Sequence, residues 1–170
     1  MLNQNSQADW REIEEGIIKR ARIVCTTLSM SGLEKLEVLK DHLEYLIIDE
    51  ACQCTEPSTL IPFALAPKRV VMVGDQKQLP ATTMSENSER TRYSRSLFER
   101  LADNGFKLHM LTVQYRMHPS IRSFPSRMFY SDMITDDPSV LTRGPLPVLI
   151  QNLEASKMFS RVNFLDLPKS

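Results

Sequence analysis

Two uninterrupted apolar runs that end in acidic residues constrain the fold of this chain most strongly. They occupy residues 44–50 (EYLIIDE) and 69–75 (RVVMVGD). A strand with one solvent-exposed face alternates apolar and polar side chains. An uninterrupted apolar run is instead typical of a strand covered on both faces, as in a parallel sheet. We therefore expect both runs to be strands of a parallel sheet with both faces covered.

Helical patterns separate these runs from other candidate strands. Further apolar runs occupy residues 22–28, 108–116 and 161–167. Apolar side chains recur at helical spacing over residues 10–21 and 33–43. Strands that alternate with helices pair in parallel through crossover connections, so the sequence predicts an α/β fold.

Serine and glycine mark the ends of some of these helices. Ser31 and Ser96 are each followed three residues later by glutamate, the pattern of a capping box at a helix start. Gly105 is a candidate helix stop. Residues 82–96 are polar without periodicity and are expected to form an exposed loop, and turn-forming residues dominate after about residue 131.

Charge and cysteine content exclude several classes of protein. The 21 basic and 21 acidic residues cancel, so no global positive charge indicates a nucleic-acid partner, although a local cationic groove is compatible with this balance. No apolar run reaches the ~18 residues of a membrane span, and the first residues lack a signal-peptide pattern. Three cysteines do not form a disulfide framework, which favours an intracellular location. We interpret Cys52 and Cys54 as small buried thiols rather than metal ligands.

The acidic residues at the strand ends are the first candidate site. Ligands of open parallel sheets bind outside the carboxyl ends of the strands, where Asp49, Glu50 and Asp75 fall. A carboxylate at that position can hold Mg²⁺, and an adjacent glutamate can activate a water molecule. The alternative is a solvated turn whose acids lie near the N-terminus of the next helix.

Two further motifs supply groups that suit phosphate chemistry. Gly74 provides a tight turn after the second run, and Gln78 is a neutral side chain that can hydrogen-bond a phosphate or an attacking water. Arg116 follows the predicted strand at 108–116, where a guanidinium can stabilise a transferring phosphoryl group. For the Gly74 turn, the alternative is an ordinary turn with polar side chains at its tip.

Taken together, these motifs resemble those of the superfamily 1 helicases, in the senataxin-like and nonsense-decay-helicase-like branch. DEACQCTEP (49–57) is similar to motif II, GDQKQLPAT (74–82) to motif III, and VQYRMHPSIRSFPS (113–126) to motif IV. CTTLSMSG (25–32) resembles the segment between motifs I and II that touches the nucleic-acid strand. The resemblance covers roughly residues 20–135.

The resemblance implies two RecA-like lobes of the P-loop NTPase type that bind ATP between them and move 5′ to 3′ along single-stranded RNA or DNA. It assigns Asp49 to Mg²⁺, Glu50 to water activation, and Gln78 to sensing the γ-phosphate. Gly74 and Asp75 belong to the nucleotide-binding motif around Gln78. Arg116 would act as an arginine finger. Finally, Thr27 and Ser29 would lie near the nucleic-acid backbone.

The resemblance also places these motifs in an incomplete fold. Residues 1–107 would be the C-terminal part of the first lobe, and residues 108–170 the start of the second. The phosphate-binding pattern G-x-x-x-x-G-K-[ST] does not occur in the sequence. We therefore expect an internal part of a longer helicase, inactive as an isolated chain, whose partners include the remaining helicase domains of the same polypeptide. The senataxin-like resemblance favours the nucleus over the cytoplasm.

Two alternatives to an active helicase segment stay open. One is a nucleic-acid-binding or partner-binding module that does not hydrolyse ATP. The other is a metal-dependent nuclease built on Asp49, Glu50 and Asp75, which leaves the motifs around Gln78 and Arg116 without a purpose.

Overall fold

The computed structural model describes residues 4–142, and the side chains from Trp10 onward. The chain divides between Lys107 and Leu108 into two compact units. The strand expected at residues 161–167 lies outside the described residues. None of the described helices is both long and apolar enough to cross a membrane.

A pair of parallel strands organises the first unit. Strand β1 (Tyr45–Ile48) lies beside β2 (Arg69–Met72), with Tyr45 opposite Arg69 and Ile48 opposite Met72. The expected parallel pairing of these two runs is therefore confirmed.

The expectation that both faces of this sheet are covered is wrong within the described residues. Ile48 is 3% exposed, whereas its neighbour Ile47 is 68% exposed and Val71, opposite Ile47, is 46% exposed. Successive side chains of a strand point to opposite faces, so the described residues bury one face and leave the other open.

Helices and 3₁₀ turns precede and follow these strands along the chain. The first helix, α1 (Gln4–Arg20), confirms the pattern over residues 10–21 and packs beside a 3₁₀ helix at Glu34–Leu39. After β1 come a 3₁₀ turn at Ala51–Gln53, helix α2 (Glu56–Leu60) and a 3₁₀ helix at Ile61–Leu65.

The α-helix expected over residues 33–43 is not formed. The chain forms two 3₁₀ helices, Ser29–Gly32 and Glu34–Leu39, and the Ser31 hydroxyl donates to the Leu28 carbonyl instead of capping a helix. Leucines in this stretch recur every three residues, a spacing that suits the three-residue turn of a 3₁₀ helix.

The strand expected at residues 22–28 is also absent. The backbone there is irregular, no described residue pairs with it, and Ile23 is largely exposed. A strand needs a neighbour to complete its hydrogen bonds, so an apolar run without one stays irregular.

The polar stretch 82–96 is not wholly an exposed loop. It contains helix α3 (Asn87–Arg90), and the side chains of Ser88 and Ser96 are buried. Ser96 caps helix α4 (Leu97–Asp103), because its hydroxyl accepts the Glu99 N–H at 3.1 Å, as the sequence predicts. Gly105, with φ of +85°, follows the end of α4.

The second unit contains a smaller parallel pair. Strand β3 (Val113–Gln114) lies beside β4 (Thr135–Asp136), helix α5 (Pro119–Phe129) connects them, and helix α6 (Pro138–Leu141) follows. The strand expected over 108–116 is therefore reduced to two residues, and β4 lies in a region expected to be loop.

Candidate functional site

The two acids after β1 lie at an irregularity in the strand ladder. The Val73 N–H donates to the Ile48 carbonyl at 2.8 Å, and the next bond runs from the Ala51 N–H to the Val73 carbonyl at 2.8 Å. A regular parallel ladder would use the N–H of Glu50, so one extra residue is inserted, as in a β-bulge. Glu50 is that residue, and it adopts a left-handed conformation with φ of 51°.

The left-handed conformation is unfavourable for glutamate, and it changes the direction of the Glu50 side chain. A non-glycine residue held in a sparsely populated conformation costs on the order of 1–3 kcal/mol, and such residues cluster at functional sites. Here the bulge turns the Glu50 side chain away from the alternating direction of the strand. The Gln53 side chain then donates from Nε2 to Glu50 Oε2 at 2.9 Å, which orients the carboxylate.

Asp49 occupies the last regular position before the bulge. Its Oδ1 accepts the Glu50 N–H at 3.0 Å, and its side chain is exposed. No described residue hydrogen-bonds its Oδ2, so this oxygen is available to a cation or to water in the cation's shell. Mg²⁺ in nucleotide sites uses one or two carboxylates together with water and phosphate oxygens. The position of Asp49 fits that requirement, although the described residues contain no cluster of three or more acidic, histidine or cysteine ligands.

The loop after β2 is held together by Asp75. Its Oδ1 accepts the Lys77 N–H at 2.9 Å, and its Oδ2 accepts from Gln78 Nε2 at 2.9 Å. Gln78 also donates its backbone N–H to the Asp75 carbonyl at 3.2 Å. Asp75 therefore shapes the loop and sets the position of the Gln78 amide.

Gly74 allows this loop to lie directly against the bulge. A Cβ atom at Gly74 would come within 2.9 Å of the Cys52 nitrogen, 3.0 Å of Cys52 Sγ and 3.1 Å of the Ala51 nitrogen. No side chain fits in that space. The absence of a Cβ is what brings the two acid-bearing loops together.

We predict that Gly74→Ala destabilises the first unit. The clash involves backbone atoms that cannot rotate away, and overpacking of this kind costs ~1–3 kcal/mol. Urea denaturation of the 170-residue chain measures the change. Gly16→Ala is the matched control, because its Cβ would meet only the Arg20 side chain at 3.6 Å and alanine favours the α1 helix. An unchanged stability for Gly74→Ala would contradict this account of the loop contact.

The thiol beneath the site is inert. Burial, followed by the charges of Asp75, Glu99 and Glu50, raises the pKa of Cys52 to about 11. The thiol therefore stays protonated at neutral pH, and a protonated thiol is a poor nucleophile and metal ligand. Cys52 is buried, as expected, whereas Cys54 is only partly buried and Cys25 is exposed.

Three further candidates belong to other segments of the chain. Arg116 follows β3 in the second unit, where its backbone N–H donates to Gln114 Oε1 at 2.9 Å. Thr27 and Ser29 are exposed in the first unit, and the Thr27 hydroxyl accepts the Met30 N–H at 3.3 Å. The structure thus brings together Asp49, Glu50 and the Gly74 loop. The Gln53 contact with Glu50 and the Gln114 contact with Arg116 were missed from the sequence, since both depend on turn geometry.

The chain matches known protein families over most of its length. Residues 1–86 and residues 93–170 each match a family described as an AAA domain. A probable helicase of Dictyostelium discoideum is 46% identical over 142 residues, or 84% of this chain. Helicase SEN1 of Saccharomyces cerevisiae is 42% identical over 144 residues (84% of the chain), and a regulator of nonsense transcripts 1 homolog of Neurospora crassa is 42% identical over 120 residues (71%).

These relatives are much longer proteins. The chain spans 15% of the Dictyostelium relative, 6% of the yeast relative and 11% of the Neurospora relative. AAA domains have the P-loop NTPase fold, and the parallel strands flanked by helices are consistent with it. The chain belongs to the superfamily 1 helicases, in the branch of the senataxin-like and nonsense-decay helicases.

Proposed function

We propose that this chain is the part of an ATP-dependent helicase that supplies the hydrolytic acids, within RecA-like lobes. Turnover of ATP would drive movement 5′ to 3′ along single-stranded RNA or DNA. The observation that carries the proposal is the bulge at Glu50. A glutamate in the left-handed conformation follows Asp49 at the carboxyl end of a parallel strand, and the Gly74 loop lies against the next two residues. Such strand ends are where ligands of this fold class bind.

In this mechanism, Asp49 anchors Mg²⁺ and Glu50 acts as general base. When bound with ATP, the cation neutralises phosphate charge. Glu50 accepts a proton from the attacking water, and the Gln53 amide holds its carboxylate in one orientation. Because Glu50 Oε2 is occupied by Gln53, we expect Oε1 to accept the proton.

The Gly74 loop would respond to the presence or loss of the γ-phosphate. The Gln78 amide can hydrogen-bond a phosphate oxygen or the attacking water. Its position is coupled through Asp75 to the backbone at Gly74, and through Gly74 to the loop of Glu50. Loss of the γ-phosphate would then alter a loop that lies against Ala51 and Cys52, the residues directly after the catalytic base.

Residues outside the two loops that follow β1 and β2 complete the proposed site. Arg116 in the second unit would stabilise charge on the transferring phosphoryl group, and Thr27 and Ser29 would contact the nucleic-acid backbone. In this assignment residues 1–107 belong to the first lobe and residues 108–170 to the second. The proposed location is intracellular, with the nucleus favoured by the senataxin-like resemblance.

The isolated 170 residues are proposed to be inactive. A phosphate-binding loop with its lysine is required to position the nucleotide, and the sequence has no G-x-x-x-x-G-K-[ST]. The missing groups would come from other domains of the same polypeptide. This same observation favours the second candidate, a binding module for nucleic acid or a protein partner that never hydrolyses ATP.

A graft distinguishes the two functions. In the grafted helicase, this chain replaces the matching segment of the yeast relative, with which it is 42% identical over 144 residues. We expect nucleic-acid-stimulated ATP turnover from the grafted helicase and none above background from the isolated chain. A grafted helicase that folds and binds nucleic acid but does not turn over ATP would favour the binding module. Turnover by the isolated chain would contradict the proposed inactivity.

A further inference from the structure

Gln114 uses its full hydrogen-bonding capacity at the turn that carries Arg116. Its Oε1 accepts the backbone N–H groups of Arg116 at 2.9 Å and Met117 at 2.7 Å. Its Nε2 donates to the Met117 carbonyl and to Asp136 Oδ1, each at 2.6 Å. A glutamine side chain has two donor and two acceptor positions, and all four are filled.

The Gln114 side chain is anchored to the neighbouring strand and to helix α5. The Asp136 carboxylate on β4 accepts hydrogen bonds from Arg122 Nε at 3.1 Å and Nη2 at 2.6 Å. The two side chains form a bidentate ion pair, in which Asp136 is 10% and Arg122 18% exposed. The hydrogen bonds from Arg122 hold the pKa of Asp136 below its usual range, so this carboxylate stays ionised at neutral pH. The backbone carbonyl of Gln114 also accepts the Asp137 N–H at 3.0 Å.

This arrangement fixes the backbone of Arg116 rather than its side chain. Two consecutive N–H groups and one carbonyl of the turn are hydrogen-bonded to the Gln114 amide. That amide also donates to the largely buried ion pair of Asp136 and Arg122. An arginine side chain has several rotatable bonds, so the direction in which it projects depends on the backbone that carries it. A turn held in this way reduces the range of positions open to the guanidinium.

We infer that Gln114, anchored by Asp136 and Arg122, is a positioning residue that sets the backbone of Arg116 for phosphoryl transfer. The inference rests on the proposed function, because it requires Arg116 to act on the nucleotide. Misplacement of a reacting group by about 1 Å can lower a rate ~100-fold. Gln114→Ala should therefore lower kcat of the grafted helicase by about 10- to 100-fold, with little change in KM for ATP.

A double-mutant cycle tests whether Gln114 acts through Arg116. Turnover and thermal unfolding are measured for Gln114→Ala, Arg116→Ala and the double variant of the grafted helicase. If Gln114 positions Arg116, its loss should cost less than about threefold once Arg116 is already alanine, because interacting residues are not additive. An equal loss in both backgrounds would overturn the inference and leave the proposed role of Arg116 intact.

Separate outcomes test the proposed function and guard against misfolding. If Arg116→Ala alone leaves kcat unchanged, the proposed role of Arg116 fails, and with it the inference. Gln114→Glu is the second variant, because its carboxylate can still accept from Arg116 and Met117 but faces Asp136 without a donor. It should lower kcat while Ser123→Ala, which removes only an exposed hydroxyl contact in α5, should not. Unchanged kcat in a folded Gln114→Glu variant would also overturn the inference.

Discussion

Replacing Glu50 with glutamine should nearly abolish ATP turnover by the grafted helicase while leaving nucleotide binding largely intact. A positioned general base contributes about 10²- to 10⁴-fold to a rate, so we expect kcat to fall within that range. Glutamine keeps the size of the side chain and a hydrogen-bonding partner for Gln53, but it cannot accept a proton. Steady-state turnover and equilibrium binding of labelled ATP measure the two effects separately.

The control for this change is another exposed glutamate. Glu86→Gln alters the same type of side chain in the 82–96 segment, and Glu86 has no proposed part in catalysis. It should leave kcat and ATP binding unchanged. If Glu50→Gln behaved like Glu86→Gln, Glu50 would not be the base. If Glu50→Gln abolished ATP binding as well as turnover, its role would be structural.

Replacing Arg116 with alanine should have an effect of similar or greater size. An arginine that stabilises transition-state charge is worth about 10³- to 10⁵-fold in kcat. Arg116→Lys should restore only a small part of this rate, because a lysine ammonium cannot form the planar two-pronged contact of a guanidinium. Single-turnover hydrolysis with saturating ATP isolates the chemical step from product release.

Arg127→Ala provides the comparison for Arg116. It removes a positive charge from the exposed surface of α5, in the same unit, without touching the turn after β3. A general loss of nucleic-acid affinity from reduced charge would appear in both variants. A loss of kcat confined to Arg116→Ala supports the arginine finger, whereas equal losses would contradict it.

The strands of the first unit and the position of the acids were predictable from the sequence. Uninterrupted apolar runs indicate strands of a parallel sheet, and parallel pairing places Asp49 and Asp75 at one edge. The burial of both faces that the same runs indicate is not found among the described residues. The bulge at Glu50 was not predictable, because it depends on which N–H reaches the Val73 carbonyl. The need for glycine at position 74 likewise arises from a neighbouring loop rather than from its own turn alone.

The failures at residues 22–28 and 135–136 have a common physical cause. Periodicity reports which side chains prefer burial, whereas a strand exists only where a second backbone completes its hydrogen bonds. Residues 22–28 are apolar but have no described partner, and Thr135–Asp136 are polar but pair with β3. The same limit explains why Gln114 was read only as part of a motif, since its role depends on Asp136 across the pair.

The central claim is that the acids of this chain act within a larger helicase polypeptide. The most direct test is the size of the endogenous protein, detected with an antibody against SENSERTRYSRS (85–96) and identified by mass spectrometry. We predict a product far larger than 19.5 kDa that also contains a peptide with the G-K-[ST] phosphate-binding pattern. A single product near 19.5 kDa would contradict the claim, because Asp49 and Glu50 would then lack the phosphate-binding loop that ATP hydrolysis requires.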